Sequence, residues 1–297
     1  MNEEAIIERL REIFASSSPD IRVGIGDDAA IVTTTLQTAV TTDMAVDGVH
    51  FRKEWSTPEE IGARVAIANL ADLYAMGATP TFLVVAVSLT GVETMEWIEA
   101  FARGIADECG KAGATVVGGD IVRSDRFSVS ITAMGKSERI IRKDGADIGD
   151  RVYLSQLPGF SRAGLEQLER GFTYDHRAIA AFKRPDFDYD LARAYAQATS
   201  MRDISDAFVI QAASMTQNYA FAIDPILIES ASDFPELDAI ARALGFDVWE
   251  LILGGGEDHV LLATGRDLPG ICIGEVVAGR GVMGLEKKKA PQPWRHF

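Results

Sequence analysis

The chain is 297 residues long, 47% hydrophobic and 25% charged, which is enough for one large domain or two ordinary ones, each with its own core. Its 44 Asp and Glu against 29 Lys and Arg give a net charge of −15, which repels nucleic acid at long range, and no basic stripe offsets it. Met-Asn-Glu-Glu lacks the basic flank and apolar core of a signal peptide, no apolar run approaches the ~20 residues of a membrane span, and Cys109 and Cys272 are too isolated for a disulfide framework or zinc site, so a cytoplasmic protein without membrane or nucleic-acid partners is expected.

Apolar spacing at Ile6, Ile7, Leu10 and Phe14 predicts a first helix over Glu3–Phe14. Val23–Val32 and Thr38–Met44 read as extended. Thr57-Pro58-Glu59-Glu60 is a helix start, with Thr as N-cap, Pro in the first turn and Glu three residues after the cap. That helix is expected to stop near Gly77, before Pro80. A buried strand over Thr81–Leu89, a helix over Thr94–Cys109 ending at Gly110, and strands over Ala114–Val117 and Arg126–Met134 follow. The polar break "DGADIGD" (Asp144–Asp150) marks a boundary between a domain of residues 1–145 and one of residues 146–297. The second half repeats the α/β mixture, with a strand at Val152–Ser155, helices around Arg162–Arg170 and Phe187–Ala198, and "LILGGGEDHVLLAT" placing a glycine turn before a strand. "EKKKA" near Glu286 reads as a solvated turn.

Two phosphate-binding motifs are ruled out. Gly24, Gly26 and Ala29 in "VGIGDDAAIV" fit a dinucleotide turn, but the run after Asp28 is rich in β-branched residues and continues as strand instead of opening a helix. Asp27 and Asp28 would also face the pyrophosphate, and like charges ~4 Å apart cost about 4 kcal/mol at an effective dielectric near 20. "GKS" at Gly135–Ser137 is no P-loop, because Ser130 stands where the leading glycine is needed. What remains is a series of acids beside glycines or at element ends: Asp27, Asp28, Asp43, Asp72, Asp120, Asp203, Asp206, Glu257 and Asp258. Each alone reads as a turn or cap residue. Together they suggest convergent oxygen ligands for hard cations such as Mg²⁺, without which so many carboxylates could not stay ionised side by side.

"GIGDDAAIV", "TTDMAVDGVHF", "NLADLYAMGATP", "VVGGD" followed by Arg123, "DISD", "GGGED" and the terminal "PWRHF" occur in this order from Gly24 to Phe297. The set resembles the thiamine-monophosphate kinases, within the superfamily of aminoimidazole ribonucleotide synthetase and selenophosphate synthetase. The resemblance implies a two-domain α/β (α+β) fold. The N-terminal domain would bind ATP and Mg²⁺ and pair its sheet across a homodimer, the C-terminal domain would complete the active site, and that site would lie in a cleft between them. It implies ATP-dependent phosphorylation of thiamine monophosphate to thiamine diphosphate by direct in-line transfer with several Mg²⁺ ions. Position by position, Asp27, Thr41, Thr42, Asp43, Asp72, Asp120, Asp203 and Asp206 match metal ligands. Gly119, Asp120, Lys143 and Ser205 match nucleotide contacts. His50, Glu257 and Trp294 match substrate-binding positions. No protein general base is nominated, since the acceptor phosphate is already ionised at neutral pH.

Several positions depart from the family's usual pattern: Ala207 for glycine, Gln211 for an acid, His259 and Val260 for tyrosine and glutamate, Phe160 for an acid, Ile121 and Val122 for threonines, and Lys143 for arginine, with Arg142 adjacent. Two alternatives stay open. One is another ATP-dependent enzyme of the superfamily, such as a cyclo-ligase; selenophosphate synthetase is disfavoured because no Cys precedes Cys109. The other is a nucleotide-binding regulatory protein that has lost catalysis.

Overall fold

The computed structural model describes residues 3–23, 25 and 30–288. Packing divides the chain into two units. One holds the chain up to Tyr74 together with Ala78–Glu138, and the other holds Ala75–Gly77 together with Arg139 onward. Ala75–Gly77 groups with the second unit because the Ile141 N–H donates to the Met76 carbonyl at 3.1 Å.

The first unit runs α1 (Glu3–Ile13), a short antiparallel pair β1 (Ile21–Val23) and β2 (Ile31–Val32), β3 (Gln37–Val46), α2 (Pro58–Ala75), β4 (Thr79–Leu89), α3 (Met95–Ala112), β5 (Thr115–Arg123) and β6 (Ser128–Ser137). The last four strands form one sheet in the order β3-β6-β4-β5. Only β4 and β5 are parallel, and α3 is the crossover between them. Alternation along β6 buries Val129, Ile131 and Ala133. The same face continues into Phe127, which meets Trp97 and Phe101 of α3 edge-on at 5.0 and 5.5 Å. Val40 and Met44 of β3 stand 63% and 58% exposed, so apolar side chains are left uncovered on the sheet. α2 and α3 approach to backbone contact: a Cβ on Gly62 would lie 2.1 Å from the Phe101 carbonyl oxygen, and one on Gly104 2.1 Å from that of Glu59. Only glycine permits this crossing.

The second unit runs β7 (Arg151–Leu154), α4 (Phe160–Arg170), α5 (His176–Lys183), α6 (Tyr189–Ala194), β8 (Ser200–Ile204), α7 (Phe208–Met215), β9 (Ala220–Ile223), α8 (Pro225–Glu229), α9 (Phe234–Leu244), α10 (Val248–Gly254), β10 (Val260–Gly265), β11 (Ile271–Val277) and β12 (Gly281–Met283). Its six-stranded sheet has the order β12-β9-β11-β7-β10-β8, antiparallel except for β12 with β9. The core joins Leu154, Leu262, Ile273 and Phe221 of the sheet to Phe208, Leu237, Trp249 and Ile252 of the helices. Among the described residues no helix is long and apolar enough to cross a membrane.

Element bounds differ from the sequence expectations where a local signal was overruled. α3 runs through Gly110 and ends at Gly113, which takes the left-handed conformation (φ 78°) and donates its N–H to the carbonyls of Cys109 and Gly110. β3 extends to Val46, so Asp43 is an interior strand residue. β5 continues through Gly118-Gly119-Asp120 because, past a bulge at Val117, its parallel ladder with β4 resumes and runs on to Arg123. The helix expected over Phe187–Ala198 is shorter, α6 followed by a 3₁₀ turn at Tyr195–Gln197.

Candidate functional site

In the first unit, Thr41 and Asp43 lie two apart on β3 and share a face, while Asn69 and Asp72 lie three apart on α2 and share a face. The spacings match, and the pairs meet. The Thr41 hydroxyl donates to Asp72 Oδ2 at 2.6 Å, and the Asp43 N–H donates to Asn69 Oδ1 at 3.2 Å. Asn69 is fully buried and fixed by donating its own amide to the Val65 carbonyl at 2.9 Å. The Asp43 side chain is left on the exposed side of this lock. Thr42 points to the other face, where its hydroxyl donates to the Ile131 carbonyl at 3.0 Å and accepts from Thr132 at 3.2 Å.

Register separates Asp120 from this group. Asp43 pairs with Ile131, Ile131 with Val85, and Val85 with Gly119; Asp120 belongs to the next row, opposite Ala86. Three strand spacings, about 14 Å, therefore lie between β3 and β5 at this level, and alternation turns Asp120 to the opposite face. Gly119 is required by its neighbour, since a Cβ there would sit 2.1 Å from the Val85 carbonyl oxygen. A mainly apolar cavity of about 870 Å³ between α1, α3 and the β4–β5 side of the sheet reaches Gly118, Gly119 and Asp120.

His50 sits in the turn after β3. Gly48 (φ 82°) donates its N–H to the Phe51 carbonyl at 2.7 Å, and the Val46 N–H donates to His50 Nδ1 at 3.1 Å. Nδ1 is thus an acceptor, and the ring proton belongs on Nε2. The turn is anchored by Phe51, packed edge-on to Phe127, and by Lys53, whose ammonium pairs with Glu93 and lies 5.0 and 4.6 Å from the Trp97 and Phe127 ring centres. Burial would raise the Glu93 pKa, but hydrogen bonds from Lys53, its own backbone and Thr90 hold it at about 2.

In the second unit, β8 and the loop before β10 run together. The Glu257 N–H donates to the Ser205 carbonyl at 2.7 Å and the His259 N–H to the Ile204 carbonyl at 3.0 Å. Both Glu257 (φ 65°) and His259 (φ 53°) are left-handed, uncommon for non-glycine residues. Between them, Asp258 is buried and accepts from the N–H groups of Gly159 and Ser161 at the start of α4, both at 2.9 Å. Burial pushes its carboxyl up to about 6 although the two amides oppose this. Asp258 therefore caps the start of α4 from a distant loop, with both of its oxygens engaged there. Asp203 is buried with His259 Nδ1 at 3.4 Å from its Oδ2. Asp206 lies one residue before the N-cap of α7, and its Oδ1 is buried with no hydrogen-bond partner. Lys143 is exposed, and its carbonyl accepts from Ser200 and Tyr219.

Asp27 and Trp294 lie outside the described residues. Among the described residues no three His, Cys, Asp or Glu side chains come close enough together to hold a metal ion. The structure brings Thr41 to Asp72 and Asp43 to Asn69, and Ser205 to Glu257; it does not bring Asp120 to Asp43. Asn69 was not singled out in the sequence, although its place three residues before Asp72 on a helix was a usable signal.

A family model described as "AIR synthase related protein, N-terminal domain" matches residues 26–137. The thiamine-monophosphate kinase of Mycobacterium tuberculosis is 33% identical over 290 residues, 96% of this chain and 84% of its own length. That of Aquifex aeolicus is 33% identical over 285 residues, 92% of each. The solved structure AaThiL, complexed with AMPPCP and TMP, superposes with a TM-score of 0.81 at 30% identity, covering 99% of this chain and 97% of its own.

Proposed function

The chain belongs to the thiamine-monophosphate kinases, and on that premise we propose that it moves the γ-phosphoryl group of ATP directly, in line, onto the phosphate of thiamine monophosphate with the help of several Mg²⁺ ions. The observation that carries the metal part of this reading is the lock between β3 and α2, which holds Thr41, Asp43 and Asp72 as a set of oxygen donors. The orphaned Oδ1 of Asp206 has the same character in the second unit. All these donors are hard oxygens, and Cys109 is buried away from any such role, so the residues fit Mg²⁺ rather than a thiophilic metal.

In this reading Thr41, Asp43 and Asp72 serve one part of the metal set, and Thr42 contributes from the other face of β3. Asp120 would contribute to the metal set from β5, on the opposite face of the same sheet. Asp27, Asp203 and Asp206 complete the set. When bound, Mg²⁺ supplies the charge neutralisation that phosphoryl transfer needs and that an acidic chain without a P-loop lysine lacks. The chain's own part is positioning. Gly119, Asp120, Lys143 and Ser205 contact the nucleotide, and the cavity that reaches Gly119 and Asp120 leaves room beside them. His50, with its proton on Nε2, donates to a phosphate oxygen of the acceptor. Glu257 and Trp294 hold the thiamine part, the tryptophan as a flat face for a cationic ring. No side chain has to remove a proton. The homodimer forms through the open sheet face that carries Val40 and Met44.

The test is turnover of ATP and thiamine monophosphate with Mg²⁺, read as thiamine diphosphate and ADP, in the wild type and in Asp120→Asn. Equal amounts of both products, lost on chelation and with kcat reduced in the variant, are expected. Binding of both substrates without product contradicts the proposal.

A further inference from the structure

We propose that Gln211 is a neutral oxygen ligand in the cation site of Asp206, its side-chain carbonyl standing beside the aspartate; this rests on reading Asp206 as a metal position. α7 begins at Phe208 with Ala207 as its N-cap, and no side chain caps it. Asp206 is the residue before the cap and Gln211 the fourth of the helix. In many helices these two positions meet through apolar side chains that staple the entry of the chain. Here both are polar. The Gln211 amide donates to Asp206 Oδ2 at 3.4 Å, and Gln211 is only 1% exposed.

Two acceptors are left over. Asp206 Oδ1 and Gln211 Oε1 are both buried and have no hydrogen-bond partner. Turning the amide over does not help, because it would set an amide oxygen against the carboxylate. Each unsatisfied buried acceptor is costly, and folded proteins seldom keep two on side chains in contact. Gln211 is not needed for the helix itself. Its N–H already donates to the Ala207 carbonyl at 3.1 Å, and its carbonyl accepts from Ser214, which in turn accepts from Arg202. A leucine or methionine would fill the staple position without stranding an oxygen. Two buried, unpartnered oxygens on side chains in hydrogen-bond contact, one charged and one neutral, suit a hard cation or its bound water. The amide adds a ligand without adding negative charge, and ligand charge count is one of the means by which oxygen sites set their affinity.

The experiment measures Mn²⁺ binding to the full chain, with a non-hydrolysable ATP analogue present, from the electron paramagnetic resonance of free Mn²⁺. Wild type, Gln211→Met, Gln211→Glu and Asp206→Asn are compared, with urea unfolding in EDTA alongside. Gln211→Met is expected to raise the Mn²⁺ Kd about tenfold, while its metal-free unfolding midpoint stays near that of wild type. Gln211→Glu is expected to lower the Kd several-fold. If Asp206→Asn weakens Mn²⁺ binding and Gln211→Met does not, the role of Gln211 is overturned. If neither does, it is the metal reading of Asp206 that fails. Should Gln211→Met not fold, an unchanged Kd in Gln211→Glu overturns the inference.

Discussion

Asp258 gives the fold a pH dependence of opposite sign to that of an ordinary paired carboxylate. Burial favours its neutral form and lifts it from its usual 3.8 to about 6, against the pull of the Ser161 and Gly159 amides. The folded chain therefore holds this proton at pH values where the unfolded chain has lost it. The group's favourable contribution is complete below about 3.8 and is lost as pH rises through about 6. At about 1.4 kcal/mol per pH unit, a rise from 3.8 to about 6 amounts to roughly 3 kcal/mol. Asp258→Asn keeps the shape and removes the titration. Urea unfolding of both proteins across this pH range, followed at the transition of the second unit, gives the difference in stability at each pH. Wild type should lose roughly 3 kcal/mol relative to the variant as pH rises from about 4 to about 7. A difference that stays constant with pH would refute the assignment of a raised pKa to the α4 cap.

Gly104→Ala should destabilise the first unit by about 3 kcal/mol in urea unfolding, because its Cβ would meet the Glu59 carbonyl, and a variant as stable as wild type contradicts the α2–α3 backbone contact. Glu93→Gln should cost about 3 kcal/mol at neutral pH by leaving the Lys53 ammonium over Trp97 and Phe127 without its anion. Because Glu93 is held at about 2, below its ordinary 4.5, that gap should narrow as pH falls below 4.5; a gap that widens instead shows the sign is wrong. Asp43→Asn and Asp72→Asn should each lower kcat more than they raise the KM for thiamine monophosphate in steady-state assays at saturating Mg²⁺, and unchanged turnover in both removes the β3–α2 lock from the reaction.

Where the sequence was readable, the signal was local. Thr57 and Glu60 form the capping box read from their spacing: the Thr57 N–H donates to Glu60 at 2.7 Å, and the Glu60 N–H to Thr57 at 3.2 Å. The alternation of Phe127, Val129 and Ile131 is the buried face of β6. The α/β character and the family motifs were likewise visible. Gly110 misled because a helix tolerates an interior glycine when the next one, Gly113, makes the better left-handed cap. Short helices such as α7 and α10 were missed, since seven or eight residues show too little periodicity to declare a face. The site was legible as a set of acids but not as an arrangement. Nothing local shows that Asp258 caps a helix 97 to 99 residues away, or that strand order sets Asp43 and Asp120 on different strands and faces. Those facts belong to the sheet register and to long-range hydrogen bonds.

The most direct measurement is the stereochemical course at phosphorus, with ATP made chiral at the γ-phosphoryl group by oxygen isotopes and sulfur, and thiamine monophosphate as acceptor. A single in-line transfer, with no phosphorylated side chain along the way, predicts thiamine diphosphate of inverted configuration. Retention would mean two displacements and an intermediate on the protein, and would contradict the account.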